Sequence, residues 1–147
     1  MKTLYMETTK KEPEETGAEI EALLRQYGLR HFNKEYDGSG EIIGCYFVLS
    51  MRGKDIPIKL PINWLPLWRL AEHGETRYIR DQAQAQRVAW RQVLRWIEAQ
   101  LAIVDIGMVD IAEVFLPYML INKKTTLYQH LVANNMKLIE AHNADQT

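Results

Sequence analysis

Between residues 64 and 97 the chain carries six arginines and no lysine, and four of them, Arg80, Arg87, Arg91 and Arg95, fall in line with Gln84 at intervals of three and four. On a helix turning 100° per residue, these five side chains project within an arc of about 80°. Arginine presents a planar fork that grips phosphate or carboxylate with two bonds, which lysine cannot do. Trp64, Trp68 and Tyr78 lie close by in sequence and offer flat surfaces on which bases could stack. The pattern points to a face that binds nucleic acid or a nucleoprotein complex, with Arg80, Arg87, Arg91, Arg95, Trp64 and Trp68 as its residues. The same pattern has a second reading. Arginine rows on helices are often solvated or neutralised by acids from neighbouring elements, their stems cover the flanks of apolar seams, and tryptophans near prolines can simply close a core. Residues 98 to 147 hold three lysines against six acids, so an acidic carboxy-terminal stretch is available to do the neutralising.

Other chemistry finds little material. His31, His73, His130 and His142 are scattered, without a second histidine or a cysteine at ligand spacing, so no metal site is expected. Gly38, Gly40 and Gly44 echo a phosphate-cradling loop, but a hairpin turn surrounds them and no helix start follows to hold a phosphate. Cys45 falls on an apolar strand face, where it reads as a small buried hydrophobe and not an activated thiolate. Glu19 and Glu113 sit at helix-capping spacing, and Glu35 and Asp37 flank a turn. No nucleophile, paired acid or phosphate loop can be named, so the expectation is a protein that is not an enzyme and takes no cofactor.

The elements that must position the arginines follow from periodicity. Residues 1–15 are polar and read as a mobile arm, residues 16–142 as a single α+β domain, and residues 143–147 as a tail. Thr16 and Glu19 have the spacing of a capping box for a first helix that carries Ile20, Leu23, Leu24 and Tyr27 and stops at Gly28. In the central strand Ile43, Cys45, Phe47, Leu49 and Met51 alternate with more polar residues, and the turn sequences Asp37–Gly40 and Arg52–Asp55 flank it. A three-stranded antiparallel meander is therefore expected, covered on one face. Pro57 and Pro61 put the third strand at an edge. A short helix falls within Asn63–Glu72. A long one is expected from about Tyr78 to about Ile106, with an apolar seam of Trp90, Leu94, Ile97, Leu101, Val104 and Met108 and a stop at Gly107. Trp96 and Ile103 point away from that seam by more than about 100°, which marks a helix central in its domain or one shared with a second subunit, so a homodimer through the long helix stays open. Asp110 with Glu113 caps a shorter helix. Thr125 or Thr126 caps a last one carrying Leu127, Leu131, Met136 and Ile139. The fold class is α+β: an N-terminal helix, the meander, the long helix and two shorter C-terminal helices on one sheet face.

Composition sets the wider bounds. An apolar fraction of 47%, a charged fraction of 25% and a formal net charge of -1 are those of an ordinary globular domain, neither histone-like nor a nucleic-acid mimic. One cysteine fits a reducing compartment. No stretch is apolar enough to span a membrane and the start lacks a secretory signal, so a cytoplasmic protein is expected.

The run Arg87-Val88-Ala89-Trp90-Arg91, continuing through Ile97-Glu98-Ala99-Gln100-Leu101 and Gly107 to Glu113-Val114-Phe115-Leu116-Pro117-Tyr118, resembles a family of small phage and prophage proteins. The blocks Glu19-Ile20-Glu21 to Tyr27-Gly28, Glu35-Tyr36-Asp37, Ile58-Lys59-Leu60-Pro61 and Thr126-Leu127-Tyr128 extend the resemblance, in order, from about residue 16 to residue 131. The resemblance implies a phage or prophage source in a bacterial host and supplies no catalytic residue. Small proteins of that setting assist replication or recombination, or block a host defence. The expected function is a non-enzymatic accessory protein that binds nucleic acid or a nucleoprotein complex through the arginine face; the alternative is an inhibitor that binds a host defence protein directly.

Overall fold

The structure is a computed structural model and describes residues 2–137. The first helix, α1 (Pro13–Arg25), starts three residues before the expected Thr16. Pro13 presets the helical φ where a missing N–H costs nothing, Glu14 and Glu15 favour the positive helix end, and the Glu15 carboxylate accepts the N–H of Glu12 at 3.4 Å. Thr16 therefore lies inside the helix, fully buried with Ile20 and Leu24, and is no cap. The helix closes at Gln26, and Gly28 turns the chain at φ 86°. There its carbonyl accepts the N–H of Ser50 at 2.8 Å, and a Cβ would meet the Ser50 carbonyl oxygen at 3.0 Å.

Three strands follow: β1 (Leu29–Tyr36), β2 (Ile42–Met51) and β3 (Lys54–Pro61), antiparallel in the order β1-β2-β3. Asp37 Oδ1 accepts the N–H of Ser39 and of Glu41 to close the first turn. Arg52 and Gly53, both at positive φ, make the two-residue turn between Met51 and Lys54, a geometry that matches the twist of a hairpin. Two register shifts interrupt the β1–β2 ladder, one at Arg30, the extra residue of β1 between Leu29 and His31, and one at the first turn. A bulge between Glu35 and Tyr36 turns Ile42 into the core and leaves Ile43 at 41% exposure, so the inward series is Ile42, Cys45, Phe47, Leu49 and Met51.

Beyond β3, α2 (Leu65–Glu72) leads to α3 (Gln82–Asp105). The long helix begins after Asp81 and not near Tyr78, because the Asp81 carboxylate accepts the N–H of Gln84 at 2.7 Å and fixes the start there. Trp90, Leu94, Ile97 and Leu101 are buried against the inner sheet face as the seam requires. Met108, the last seam position, is 65% exposed because Gly107 at φ 75° has already ended the helix. Asp110 and Glu113 cap α4 (Ile111–Phe115), a 3-10 turn spans Leu116–Tyr118, and Thr126 with Gln129 caps α5 (Leu127–Ala133). α5 packs on the 3-10 turn and ends at Asn134, so Met136 lies past it; Ile139 and the expected tail fall outside the described residues.

The amino-terminal segment, expected as a mobile arm, is tied to the body by buried polar contacts. Glu7, 1% exposed, accepts the N–H of Leu4, Arg77 and Tyr78 through its carboxylate. Gln84 donates to the carbonyls of Glu7 and Thr9, and Gln92 to that of Tyr5. Burial raises the Glu7 pKa, but the backbone N–H groups converging on it outweigh that and hold it below 4.5.

Candidate functional site

Three of the four arginines expected to form a binding face are engaged within the fold. Arg87 Nε meets Glu12 Oε1 at 2.7 Å, and its Nη1 donates to Gln84 Oε1 at 3.0 Å. Arg91 is only 5% exposed; it pairs with Glu19 and donates to Thr16 Oγ1 at 3.2 Å. Arg95 Nη1 meets Glu98 Oε1 at 2.6 Å. Two of these acids, Glu12 at the cap of α1 and Glu19 within it, come from the amino-terminal side and not from the acidic carboxy-terminal stretch, so Arg87 and Arg91 fasten α1 to α3. Arg80 precedes the capping Asp81, so it is not on the helix at all; it is exposed, with no carboxylate within 4.0 Å among the described residues. Trp64 and Trp68 are half-buried and close one end of the core against Ile79, Ala85 and Val88.

Two further arginines share the situation of Arg80. Arg69 and Arg77 are exposed and, among the described residues, lack an acid partner, whereas Arg25, Arg30 and Arg52 have one. Tyr78, 45% exposed, lies between Arg77 and Arg80. The helical pattern hides this set, because these residues belong to α2 and to the connection that follows it.

A different surface gathers at the other end of the long helix. The β2–β3 hairpin and α4 enclose a groove of about 370 Å³. Met51, Ile56, Ala112, Leu116 and Met119 give it apolar walls, and Arg52, Lys54, Asp110 and Glu113 rim it with both signs of charge. Asp110 does double duty. It caps α4 through the N–H of Ala112 and receives Arg52 Nη2 at 3.1 Å, and these bonds, the backbone one foremost, hold its carboxyl below the ordinary range. Leu116 in the groove wall is 48% exposed, and Met108 and Ile106, in the connection between α3 and Asp110, are 65% and 70% exposed. The sequence signal for this surface is faint: Met108 is the seam residue that the helix stop at Gly107 casts out.

The second apolar face of α3, where a homodimer through the long helix stays open on sequence, is partly covered from within the chain. Trp96 packs edge-on against Phe115 and Tyr118 with ring centres 6.1 and 6.0 Å away, and Ile103 is half-buried. Cys45 is fully buried, and burial, with the nearby Glu35 charge, pushes its thiol up to about 12. Among the described residues no group of three or more His, Cys, Asp or Glu side chains could hold a metal ion, and no helix is long and apolar enough to cross a membrane. Comparison of the chain with protein-family models, curated proteins and solved structures finds no match.

Proposed function

We propose that the protein is a non-enzymatic accessory module that binds another protein, taking an apolar segment of its partner into the groove between the β2–β3 hairpin and α4. The observation that carries this reading is the groove itself, walled by Met51, Met119 and the 48% exposed Leu116, with Ile106 and Met108 exposed in the connection that leads to its rim residue Asp110. Unbranched, polarizable methionine side chains adapt to a partner's shape, and exposed apolar clusters with a charged rim are the anatomy of protein-binding surfaces. In the phage or prophage setting that the resemblance implies, the fitting role is direct engagement of a host protein, such as a defence factor. The acid partners of Arg87, Arg91 and Arg95 take up three of the four arginines of the expected nucleic-acid face, which supports the protein-binding reading over it.

Capture from bacterial lysate tests the reading. A specific partner should survive nuclease treatment, bind the parent, and be lost by Met108→Glu and Leu116→Glu variants that keep the parent's circular dichroism. Retention by both variants overturns the choice of surface. The exposed arginines Arg69, Arg77 and Arg80 with Tyr78 favour a second reading, in which the α2–α3 connection contacts phosphates. Fluorescence anisotropy with labelled DNA and RNA at two salt concentrations separates the two. Salt-sensitive binding that Arg77→Ala and Arg80→Ala weaken, with Met108→Glu unaffected, would place the function there.

A further inference from the structure

The two edges of the sheet are treated differently. Leu120 donates its N–H to the Pro57 carbonyl at 2.9 Å, and Met119 bridges Ile58, so the odd-numbered residues of β3 direct their backbone groups away from β2. At two of those outward positions stand Pro57 and Pro61, which have no N–H to offer. That edge is guarded by its prolines and by the Met119–Leu120 segment. The same alternation, carried across the register of β2, points the backbone of His31 and Asn33 towards Val48 and Tyr46 and that of Phe32 and Lys34 out of the sheet. β1 contains no proline and, among the described residues, no segment pairs with its outer side.

An edge lysine normally obstructs strand addition. Lys34 is drawn off the edge instead. Its Nζ reaches back to Glu14 Oε2 at 2.7 Å, and its stem lies over Gly17, where a Cβ would meet Lys34 Cε at 2.7 Å. A groove of about 340 Å³ remains between α1 and the edge, and Ala18 is the small residue at its helix wall.

We infer that a second copy of this chain pairs antiparallel along β1, joining two three-stranded sheets into one of six strands about a two-fold axis at Asn33. The sequence of β1 selects that register. Centred on Phe32, the pairing would run into the bulge at Arg30, which breaks the ladder; centred on Lys34, it would set the two lysines against each other, which disfavours pairing. Centred on Asn33, the two Asn33 side chains meet on the open face and each His31 faces the Glu35 of the other copy. Phe32 and Lys34 then exchange backbone bonds with their counterparts. The interface is self-complementary, as a two-fold axis requires. It lies on the edge opposite the hairpin groove, so it neither depends on that groove nor obstructs it.

Sedimentation equilibrium of the full chain over a wide concentration range tests the inference. The parent should reach twice the chain mass in a concentration-dependent way. Asn33→Lys sets two cations face to face on the axis at an exposed position. His31→Glu sets two pairs of carboxylates against each other. Each should weaken the dimer about tenfold, and the double variant His31→Glu with Glu35→His, which exchanges the two partners without setting a lysine against Lys59, should restore it. A parent that stays monomeric at every concentration overturns the inference. A dimer indifferent to Asn33→Lys places the interface elsewhere, and failure of the charge exchange to rescue His31→Glu refutes the register.

Discussion

Replacing Arg91 with alanine should destabilise the fold and not merely bare its surface, and the size of the loss can be worked from the contacts. The residue is 5% exposed, so truncation removes two buried methylenes, Cγ and Cδ, which at about 0.8 kcal/mol each is about 1.6 kcal/mol. The hydroxyl of Thr16, fully buried, loses its donor, at a cost of about 1 kcal/mol. Glu19 loses its partner too, but its side chain is 46% exposed and regains water, so its share is small. Against these stands the relief of a buried charge whose Nε has no hydrogen-bond partner. The balance is a loss of about 2–3 kcal/mol, equivalent to a fall in Tm of roughly 6–10 °C for a chain of this size. Arg91→Met keeps most of the packing and should lose less than half as much. Urea denaturation followed by circular dichroism measures both. If Arg91→Ala stayed within about 0.5 kcal/mol of the parent and abolished nucleic-acid binding, Arg91 would be a ligand group after all and the α1–α3 seam an illusion.

Glu7→Gln should lower stability at neutral pH by about 2 kcal/mol, since three backbone donors lose a charged acceptor. Because the folded carboxyl titrates below 4.5, its contribution is present above that pH and fades as pH falls through the lowered value; the gap between parent and variant should therefore close in acid, and a gap flat from pH 7 to 3 would refute the latch. Gly44→Ala forces a Cβ to within 2.8 Å of the Leu60 carbonyl and should cost about 2 kcal/mol, whereas Gly38→Ala, with nothing within 4 Å, should stay within about 0.5 kcal/mol; thermal melts of the two decide it. The Cys45 thiol, buried and titrating near 12, should resist a thiol reagent at pH 8 until urea unfolds the chain, and prompt labelling of the native protein would show that β2 opens.

What the sequence made legible is what neighbours in sequence decide. The meander announced itself through alternation and turn residues, and the Asp110–Glu113 and Thr126–Gln129 caps through spacing, because each feature is written within a few residues. The bulge at Ile43 was illegible because Ile42 and Ile43 are equally apolar, so alternation cannot tell which one turns inward. The start of α3 was misplaced because the apolar pattern extends back past Asp81, and only the carboxylate bond to Gln84 breaks it. The partners of the arginine row were illegible for a deeper reason. Its helical phase was read correctly from Gln84 to Arg95, but phase says which way a side chain points and not what waits there. The acids that wait for Arg87 and Arg91 are Glu12 and Glu19, about seventy residues earlier in the chain and in a segment read partly as an arm. Counting charge by stretches directed attention to the wrong end.

The fastening of α1 has a consequence at the sheet edge. Glu12 and Glu19 hold α1 to α3, and Glu14, on the same helix, holds Lys34. Lysine at the outward position of an edge strand is a common guard against pairing, and here the helix that the arginines anchor removes the guard. The arginines thus matter to recognition without touching a partner: they set the helix that leaves β1 able to pair. Loosening the seam should release Lys34 into the edge. Destabilisation of α1 by Glu19→Ala should therefore weaken β1 pairing as well as the fold, whereas the groove at the hairpin, built from Met51, Leu116 and Met119 and lacking any α1 residue, should keep its partner.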